Sequence, residues 1–486
     1  MKKQISKAIA LGMLVFCLSG CEAMGNNGPN ESSLPDLETE NDPSVDNQEN
    51  KQEDTNNDVQ ANVLYKETLD SGLTVVFYVD GKMELSGADV QEKLKENKLL
   101  ENYIQNVIDI EFGDGVESIS EKAFSDFVGV KKITMGDSLK EIGYSAFSGC
   151  TSLTEIVFGS NVEKIEDYAF SGCVSLKDIT LNDSLKTLGN YVFSNCSSLM
   201  NVEFGNSLKS VGTNIFSGSS LLASIRLSCD VPVMAFMDCT SLESITFEEG
   251  VKVIGDRAFS GCVSLQKVMF IDGLEQVGSN AFSGCTGLQY ITIPSSVKNV
   301  DKGAFASCSS LEAITIAEGE EMIFGDSVFV GCNSLTEVTF PEGVTKIGDK
   351  IFSDSLSLEE IYLPASLIEI GEQAFSGCAE LELIDIAENG KLTIKKLAFN
   401  GCTSLTEVTL PEGVIKLEEK VFAECAELET ITLPKTLKNV GSYVLENTFS
   451  LRKINYRGSS SQWKNVNKES NWNSRAGKQS VSYNVK

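Results

Sequence analysis

A phenylalanine returns along this 486-residue chain with a near-constant spacing of 23 residues. The series consists of Phe124, Phe147, Phe170, Phe193, Phe216, Phe236, Phe259, Phe282, Phe305, Phe329, Phe352, Phe375, Phe399 and Phe422, and Leu445 completes it. Self-similarity of this kind means that one small unit is used about fifteen times. Chain length is therefore a poor guide to domain number, because an array of repeats shares one core.

Each unit repeats its other apolar positions as well. In the unit that begins at Phe147 these positions are Phe147, Cys150, Leu153, Ile156, Phe158, Val162 and Ile165. One unit cannot bury so many apolar side chains alone, whereas stacked units form a continuous core. The pattern predicts a β-rich leucine-rich-repeat solenoid of about fifteen coils over residues 107–451, with one short strand pointing Leu153, Ile156 and Phe158 inward.

Glycine and proline mark the turns of these units. The prolines that follow the strand and are expected to end it are Pro294, Pro341, Pro364, Pro411 and Pro434. The glycines that follow the last apolar residue of a unit are Gly143, Gly189, Gly212, Gly255, Gly278, Gly348 and Gly371. We expect a turn with positive φ at these glycines.

The repeat also carries a specific resemblance. The pattern Ala-Phe-Ser-Gly-Cys-x-Ser-Leu-x-x-Ile-x-Leu-Pro-x-x-Val-x-x-Ile-Gly resembles the BspA-like leucine-rich repeat of bacterial surface proteins, over about Val107 to Tyr456. The resemblance implies a cell-surface protein that works by adhesion or protein binding, often to host or neighbouring-cell proteins. It does not identify a ligand, because a repeat scaffold serves many functions.

One coil departs from the pattern. Residues 228–233 replace the usual return segment, and the step from Phe216 to Phe236 falls to 20 residues. We expect a kink or local bulge of the solenoid there. A tolerated deletion and a functional hinge are both open interpretations.

The segments that flank the repeats resemble the caps of the same family. In the N-terminal cap, residues 62–106, two strands at Leu73–Val79 and Lys82–Ser86 are predicted around a tight turn, followed by a helix over Ala88–Ile104. The C-terminal cap, residues 452–486, holds eight basic residues and one acidic residue, and is expected to cover the open end of the core. Its charge could also dock on an acidic polymer or on another copy of the chain.

The N-terminus predicts secretion and lipid anchoring. Residues 1–20 combine lysines, a short apolar stretch and small residues, as in a signal peptide, and Leu18-Ser19-Gly20-Cys21 resembles a lipobox in which the Cys21 thiol is diacylated. An ordinary signal peptide is the alternative. Residues 21–61 are acidic and poor in apolar residues, which predicts a disordered tether or an acidic binding arm.

Charge and composition exclude several functions. With 69 acidic and 40 basic residues, the net charge of −29 should repel nucleic acid. The chain contains no histidine, which removes the usual general base and metal ligand, so we expect neither an enzyme nor a cofactor. Carboxylate pairs remain formally available among so many acids, but no local pattern singles one out.

Eleven cysteines share one position of the repeat: Cys150, Cys173, Cys196, Cys239, Cys262, Cys285, Cys308, Cys332, Cys378, Cys402 and Cys425. Phe127, Ser219, Ser355 and Thr448 take the same position in other coils, which favours a packing slot for free thiols. Occasional disulfides between adjacent coils are the main alternative. Metal binding is disfavoured, because Cys-x-x-Cys spacing and histidine are both lacking.

Strand alternation predicts which side chains face solvent. The residues on either side of the central strand residue should be exposed, and four of them are unusually large and apolar for a wet surface: Met269, Tyr290, Tyr362 and Leu383. We predict these four as a contact surface, although single exposed apolar residues are also common.

Taken together, the sequence predicts a non-catalytic lipoprotein, anchored to the membrane through Cys21 and exposed at the bacterial surface, that binds an extracellular protein or glycan. The ligand could be host-derived. A structural or scaffolding protein of the envelope is the alternative.

Overall fold

The computed structural model describes residues 62–91, 94–98, 100–205, 207–208, 210–319, 322–388 and 390–485. The predicted signal peptide, Cys21 and the acidic tether lie outside the described residues.

The chain begins with an antiparallel meander of β1 (Val63–Thr68), β2 (Thr74–Tyr78) and β3 (Lys82–Ser86). The predicted hairpin is confirmed as β2 and β3, and β1 is an additional strand. Gly81, at φ +89°, forms the turn between β2 and β3. A parallel pairing of β3 with the first repeat strand makes the meander the start of the repeat sheet.

The predicted helix over Ala88–Ile104 is wrong. The segment holds a 3-10 turn at Leu94–Glu96 and one short helix, α1 (Glu101–Ile104). The reason is that Val90 forms a parallel bridge with Ile119 and exchanges backbone hydrogen bonds with the first coil. A backbone that pairs with a strand cannot also be helical, so tertiary pairing overrides the helix-like composition.

Every coil contributes one strand to a row that we call the strand row, and the outward surface of this row is the strand face. Its members are β4 (Asp109–Phe112), β6 (Lys132–Met135), β8 (Glu155–Val157), β10 (Asp178–Thr180), β12 (Asn201–Glu203), β14 (Ser224–Leu227), β15 (Ser244–Phe247), β17 (Lys267–Met269), β19 (Tyr290–Ile293), β21 (Ala313–Ile316), β23 (Glu337–Thr339), β25 (Glu360–Leu363), β27 (Leu383–Ile386), β29 (Glu407–Thr409), β31 (Thr430–Leu433), β33 (Lys453–Tyr456) and β35 (Ser480–Tyr483).

A second row, the return row, is built from shorter strands. Its members are β5 (Ser118–Ile119), β7 (Glu141–Ile142), β9 (Lys164–Ile165), β11 (Thr187–Leu188), β13 (Ser210–Val211), β16 (Val253–Ile254), β18 (Gln276–Val277), β20 (Asn299–Val300), β22 (Met322–Phe324), β24 (Val344–Ile347), β26 (Glu369–Ile370), β28 (Leu392–Ile394), β30 (Val414–Leu417), β32 (Asn439–Val440) and β34 (Asn467–Lys468). Wherever neighbouring coils pair, both rows pair in parallel, so the repeats form the predicted solenoid.

The core is organised around the repeated phenylalanines. From Phe124 to Phe422 each ring is fully buried and stacks on the next, with ring centroids 5.1–5.7 Å apart. Leu445, 1 % exposed, occupies the same slot in a later coil. Each ring contacts the rings of the coils before and after it, so stacked coils bury aromatic surface that a single coil would leave exposed.

The eleven repeat cysteines are free and buried, which confirms the packing-slot interpretation. Each Sγ donates a weak hydrogen bond, 3.2–3.5 Å long, to the carbonyl of a core phenylalanine on the preceding coil, as Cys285 does to Phe259. Ser219, which replaces a cysteine, donates to Phe193 in the same way. Burial raises the pKa of Cys285 to about 12, so the thiols keep their protons.

The expected positive φ at the return glycines is wrong. Left-handed residues instead lie two positions before and two positions after each core phenylalanine, for example Ser145 and Gly149 around Phe147. The return glycines are needed for close approach: a Cβ at Gly143 would lie 2.6 Å from the Ile119 carbonyl oxygen of the preceding coil. Glycine removes this collision and lets the backbones stack.

The C-terminal segment continues both rows. β34 pairs with β32, and β35 pairs with β33. The helix α2 (Ser460–Asn465) lies between β33 and β34, and a capping box of Ser459 and Gln462 caps its N-terminus. Trp463, 8 % exposed, packs on Tyr456 with ring centroids 5.0 Å apart.

Candidate ligand-binding surface

The strand face presents side chains as the alternation predicts. On β8, Ile156 is buried between the exposed Glu155 and Val157. The same exposed–buried–exposed order occurs on β10, β17, β23 and β29. The strand face is therefore a ladder of outward side chains fixed on paired backbone, which suits the binding of a partner without rearrangement.

Met269 and Tyr290 lie diagonally to each other on neighbouring strands of this face. Met269 is 60 % exposed and Tyr290 is 44 % exposed. They sit on the neighbouring strands β17 and β19, where Lys267 is the register partner of Tyr290. The Tyr290 hydroxyl donates to Glu312 Oε2 over 2.7 Å, and this bond raises the pKa of the tyrosine.

Tyr362 and Leu383 form a second, separate pair. They lie on β25 and β27, and Leu383 is 39 % exposed. Tyr362 is half-buried. Its hydroxyl donates to Glu360 Oε2 over 2.5 Å, and this bond raises the pKa of the tyrosine. Two strands, β21 and β23, separate the pairs, so Tyr290 and Tyr362 stand roughly 14 Å apart along the array.

Charge is distributed unequally over the two rows. On the return row, lysines pair with glutamates of neighbouring coils, as in Lys164–Glu141 at 2.5 Å and Lys186–Glu163 at 2.7 Å. On the strand face, β23, β25, β27 and β29 carry acidic residues and no lysine or arginine. Partial burial raises the pKa of Glu337, with a further contribution from Glu360. This part of the face favours basic partners.

The short coil opens the surface in a way that sequence reasoning missed. Within the described residues the hydrogen bonding of the return row is broken only between β13 and β16, where Val231 makes only an isolated bridge to Ile254. The strand row has several such breaks, and one of them lies beside the short coil, between β12 and β14. A groove of about 740 Å³ lies over the break between β12 and β14, and its polar lining includes Glu203, Arg226 and Glu248.

A smaller crevice of about 260 Å³ adjoins this groove and reaches into the core. Its lining consists of Phe204, Gly205, Leu208, Val211, Ile215, Leu227, Ser228, Cys229, Pro232, Phe236 and Glu248. Cys229 is half-buried, unlike the repeat cysteines, and burial raises the pKa of its thiol. The six-residue substitution in the sequence pointed to this place, but not to a cavity.

The described ranges were also searched for metal-binding groups and for helices that could span a membrane. No group of three or more potential metal-binding side chains lies together within them. None of the helices placed between residues 62 and 485 has the length and apolar character needed to cross a membrane.

The repeats match a protein-family model for the BspA type leucine rich repeat region, in six copies, over residues 97–223, 229–359 and 345–467. The chain belongs to this family. The gap between the first two matches falls at the short coil, which is thus the place where this BspA-type protein departs from its family pattern.

One solved structure shows the same fold, and others are similar in sequence over part or most of their length. A leucine-rich repeat protein from Bacteroides ovatus is 22 % identical, with a TM-score of 0.51 over 87 % of this chain and 100 % of that chain. A Treponema pallidum leucine rich repeat protein is 29 % identical over 41 % of this BspA-type chain and 91 % of its own, with a TM-score of 0.33. The pneumococcal vaccine antigen PcpA is 18 % identical over 87 % of this chain and 99 % of its own, with a TM-score of 0.32. No curated protein matches the chain.

Proposed function

We propose that this protein is a non-catalytic binding protein of the bacterial cell surface, and that its strand face adheres to an extracellular protein. The observation that carries the proposal is the pair Met269 and Tyr290, which leaves two large side chains exposed on neighbouring strands of a fixed sheet. Large side chains of this kind supply much of the binding energy in protein interfaces. The absence of histidine from the sequence supports a function without catalysis.

The test is binding of the full chain to a panel of extracellular-matrix proteins, mucins and envelope polysaccharides, beside the double variant Met269→Ser/Tyr290→Ser. We expect saturable binding to one protein, weakened on the order of tenfold or more in the double variant. Ile323→Ser is the matched control, because Ile323 is 45 % exposed but lies on the return row. Equal binding by the double variant and the control would contradict the proposal.

The same experiment addresses the structural alternative. A scaffolding protein would bind no member of the panel and would associate with itself as concentration rises. Analytical ultracentrifugation of the full chain reports that association directly. Binding to a polysaccharide alone would replace the protein ligand in the proposal by a glycan.

Anchoring through Cys21 is part of the proposal. The lipobox-like Leu18-Ser19-Gly20-Cys21 supports diacylation, and two acyl chains hold a protein stably on a membrane. Metabolic labelling with radioactive palmitate should mark the parent chain and leave Cys21→Ser unlabelled. Label retained in Cys21→Ser would contradict the anchor.

A further inference from the structure

We infer that the crevice beside the short coil receives one large apolar side chain from a basic, extended segment of the partner protein. The inference rests on the proposed function, because it assigns an anchoring point to a binding protein. It deepens that proposal by naming the chemistry of the segment that is bound.

The crevice exists because the short coil leaves part of the core uncovered. Leu208 and Val211 are half-buried, whereas the residues at their two repeat positions are at most 3 % exposed in the other full-length coils from Val116 to Val440. The coil that follows has only Ser228, Cys229 and Asp230 between the strand residue Leu227 and the return residue Val231. These few residues cannot cover the side of the preceding coil.

The size of the crevice fits a single side chain. Its 260 Å³ falls below the range of about 300–1,000 Å³ that whole small-molecule ligands occupy. Phe204, Leu208 and Phe236 line it, so the matching group is aromatic or branched aliphatic. Apolar side chains buried in such pockets are the anchors of many protein interfaces.

The groove next to the crevice is suited to the main chain that carries this side chain. Its lining alternates side-chain hydroxyls and charges, among them Ser224, Ser244 and Thr246. These groups can satisfy the polar atoms of an extended backbone. The groove lies on β12, β14 and β15, and Met269 follows on β17, so groove and strand-face pair form one continuous surface.

Charge decides what kind of segment fits. Among the described residues that line the groove and the crevice, Glu203 and Glu248 are acidic, and Arg226 is the single cation and is already paired with Glu248 at 2.6 Å. Basic residues beside the apolar anchor are therefore favoured. The same argument disfavours the chain's own residues 22–61, which contain eleven acidic residues and one lysine.

The probe is a synthetic peptide with one phenylalanine between two pairs of lysines, titrated into the full chain by calorimetry. Companion peptides replace the phenylalanine by alanine or the lysines by glutamates. We expect the alanine peptide to bind weaker on the order of tenfold, because it lacks the anchor. The glutamate peptide should bind weaker still, since it meets acidic side chains.

Cys229 reports where the peptide binds. Alkylation by iodoacetamide, followed by mass spectrometry of the fragment that contains Cys229, should slow by about tenfold when the lysine–phenylalanine peptide saturates the crevice. The alanine peptide should leave the rate near that of the free chain. Absence of protection by the phenylalanine peptide would overturn the inference.

Two variants make the result independent of folding defects. Ser228→Phe places a ring at the rim of the crevice and should abolish peptide binding, whereas Ala317→Phe, at the equivalent place of a remote coil, should not. Glu203→Gln changes only an exposed charge and should weaken binding several-fold in low salt. Parent-like affinity in Ser228→Phe and Glu203→Gln would overturn the inference.

A different outcome would identify a different occupant. If the parent chain associates with itself and Ser228→Phe removes that association, a second copy fills the crevice, and the assignment to a foreign segment falls. Failure of the peptide experiments alone leaves panel binding through Met269 and Tyr290 intact, so this inference and the proposed function fail separately.

Discussion

The contact between neighbouring coils is especially close at the glycine that follows each return strand, and Gly371 shows what a side chain there would meet. A Cβ at position 371 would lie 2.6 Å from the carbonyl carbon and oxygen of Gly348. An ordinary carbon–oxygen contact is about 3.3 Å, so the coils would have to separate by roughly 0.7 Å. The hydrogen bond from Gly371 N to Ile347 O, now 2.9 Å, would then lengthen to about 3.6 Å and be lost.

The cost of Gly371→Asn follows from these distances. Loss of the backbone hydrogen bond lowers the free energy of unfolding by about 1 kcal/mol, and forcing extra atoms into a packed contact lowers it by about 1–3 kcal/mol more. Asparagine also restricts the unfolded chain more than glycine does, which offsets about 0.4–1 kcal/mol of this loss. We therefore expect the free energy of unfolding to fall by about 1–4 kcal/mol.

Gly401→Asn is the matched control. Gly401 has a φ of +77°, its Cβ would meet nothing closer than 3.6 Å, and Asn195 and Asn447 occupy the same repeat position at φ near +58°. Asparagine tolerates this conformation, so a change below about 1 kcal/mol is expected. Urea unfolding followed by circular dichroism measures both variants. Equal midpoints for Gly371→Asn and the parent would refute the close-approach argument.

The remaining predictions concern the core. Phe282→Ala removes a fully buried ring from between Phe259 and Phe305 and should lower the free energy of unfolding by about 3–5 kcal/mol. Phe282→Leu leaves a smaller cavity and should cost about half as much, and equal urea midpoints for the two variants would contradict this dependence on cavity size. Burial raises the pKa of Cys285 from 9.0 to about 12, so its stabilisation is complete below pH 9 and declines as the pH rises toward 12, by up to about 1.4 kcal/mol per pH unit. Between pH 9 and pH 12 the urea midpoint should therefore fall less steeply with pH in Cys285→Ala than in the parent chain. Parallel pH profiles for the two proteins would contradict the raised pKa of Cys285.

The repeat and its inward positions were predictable because they depend on periodicity alone. A side chain that recurs every 23 residues must occupy equivalent places if coils stack, which is why Phe147 and Cys150 are buried as expected. The free thiols followed from the same logic, since serine replaces cysteine at 219 and makes the same hydrogen bond.

Features that depend on contacts between coils were not predictable. Gly143 looks like a turn glycine in sequence, but its role is set by the distance to the Ile119 carbonyl of another coil. Likewise, the helix expected from Ala88 gives way to the bridge between Val90 and Ile119. The exposure of Leu208 depends on residues missing from the next coil, which a pattern within one repeat does not reveal.

The break of the return row at the short coil also has a mechanical consequence. In a one-dimensional array the resistance to unfolding is a sum of nearest-neighbour terms. In the described residues the return row is divided there into sheets of five and ten strands, and the stacking of Phe216 on Phe236 at 5.5 Å continues across the boundary. A chain pulled from its two ends should therefore yield first at this boundary. The blocks on either side would remain folded, so the molecule would lengthen at this boundary before either block unfolds.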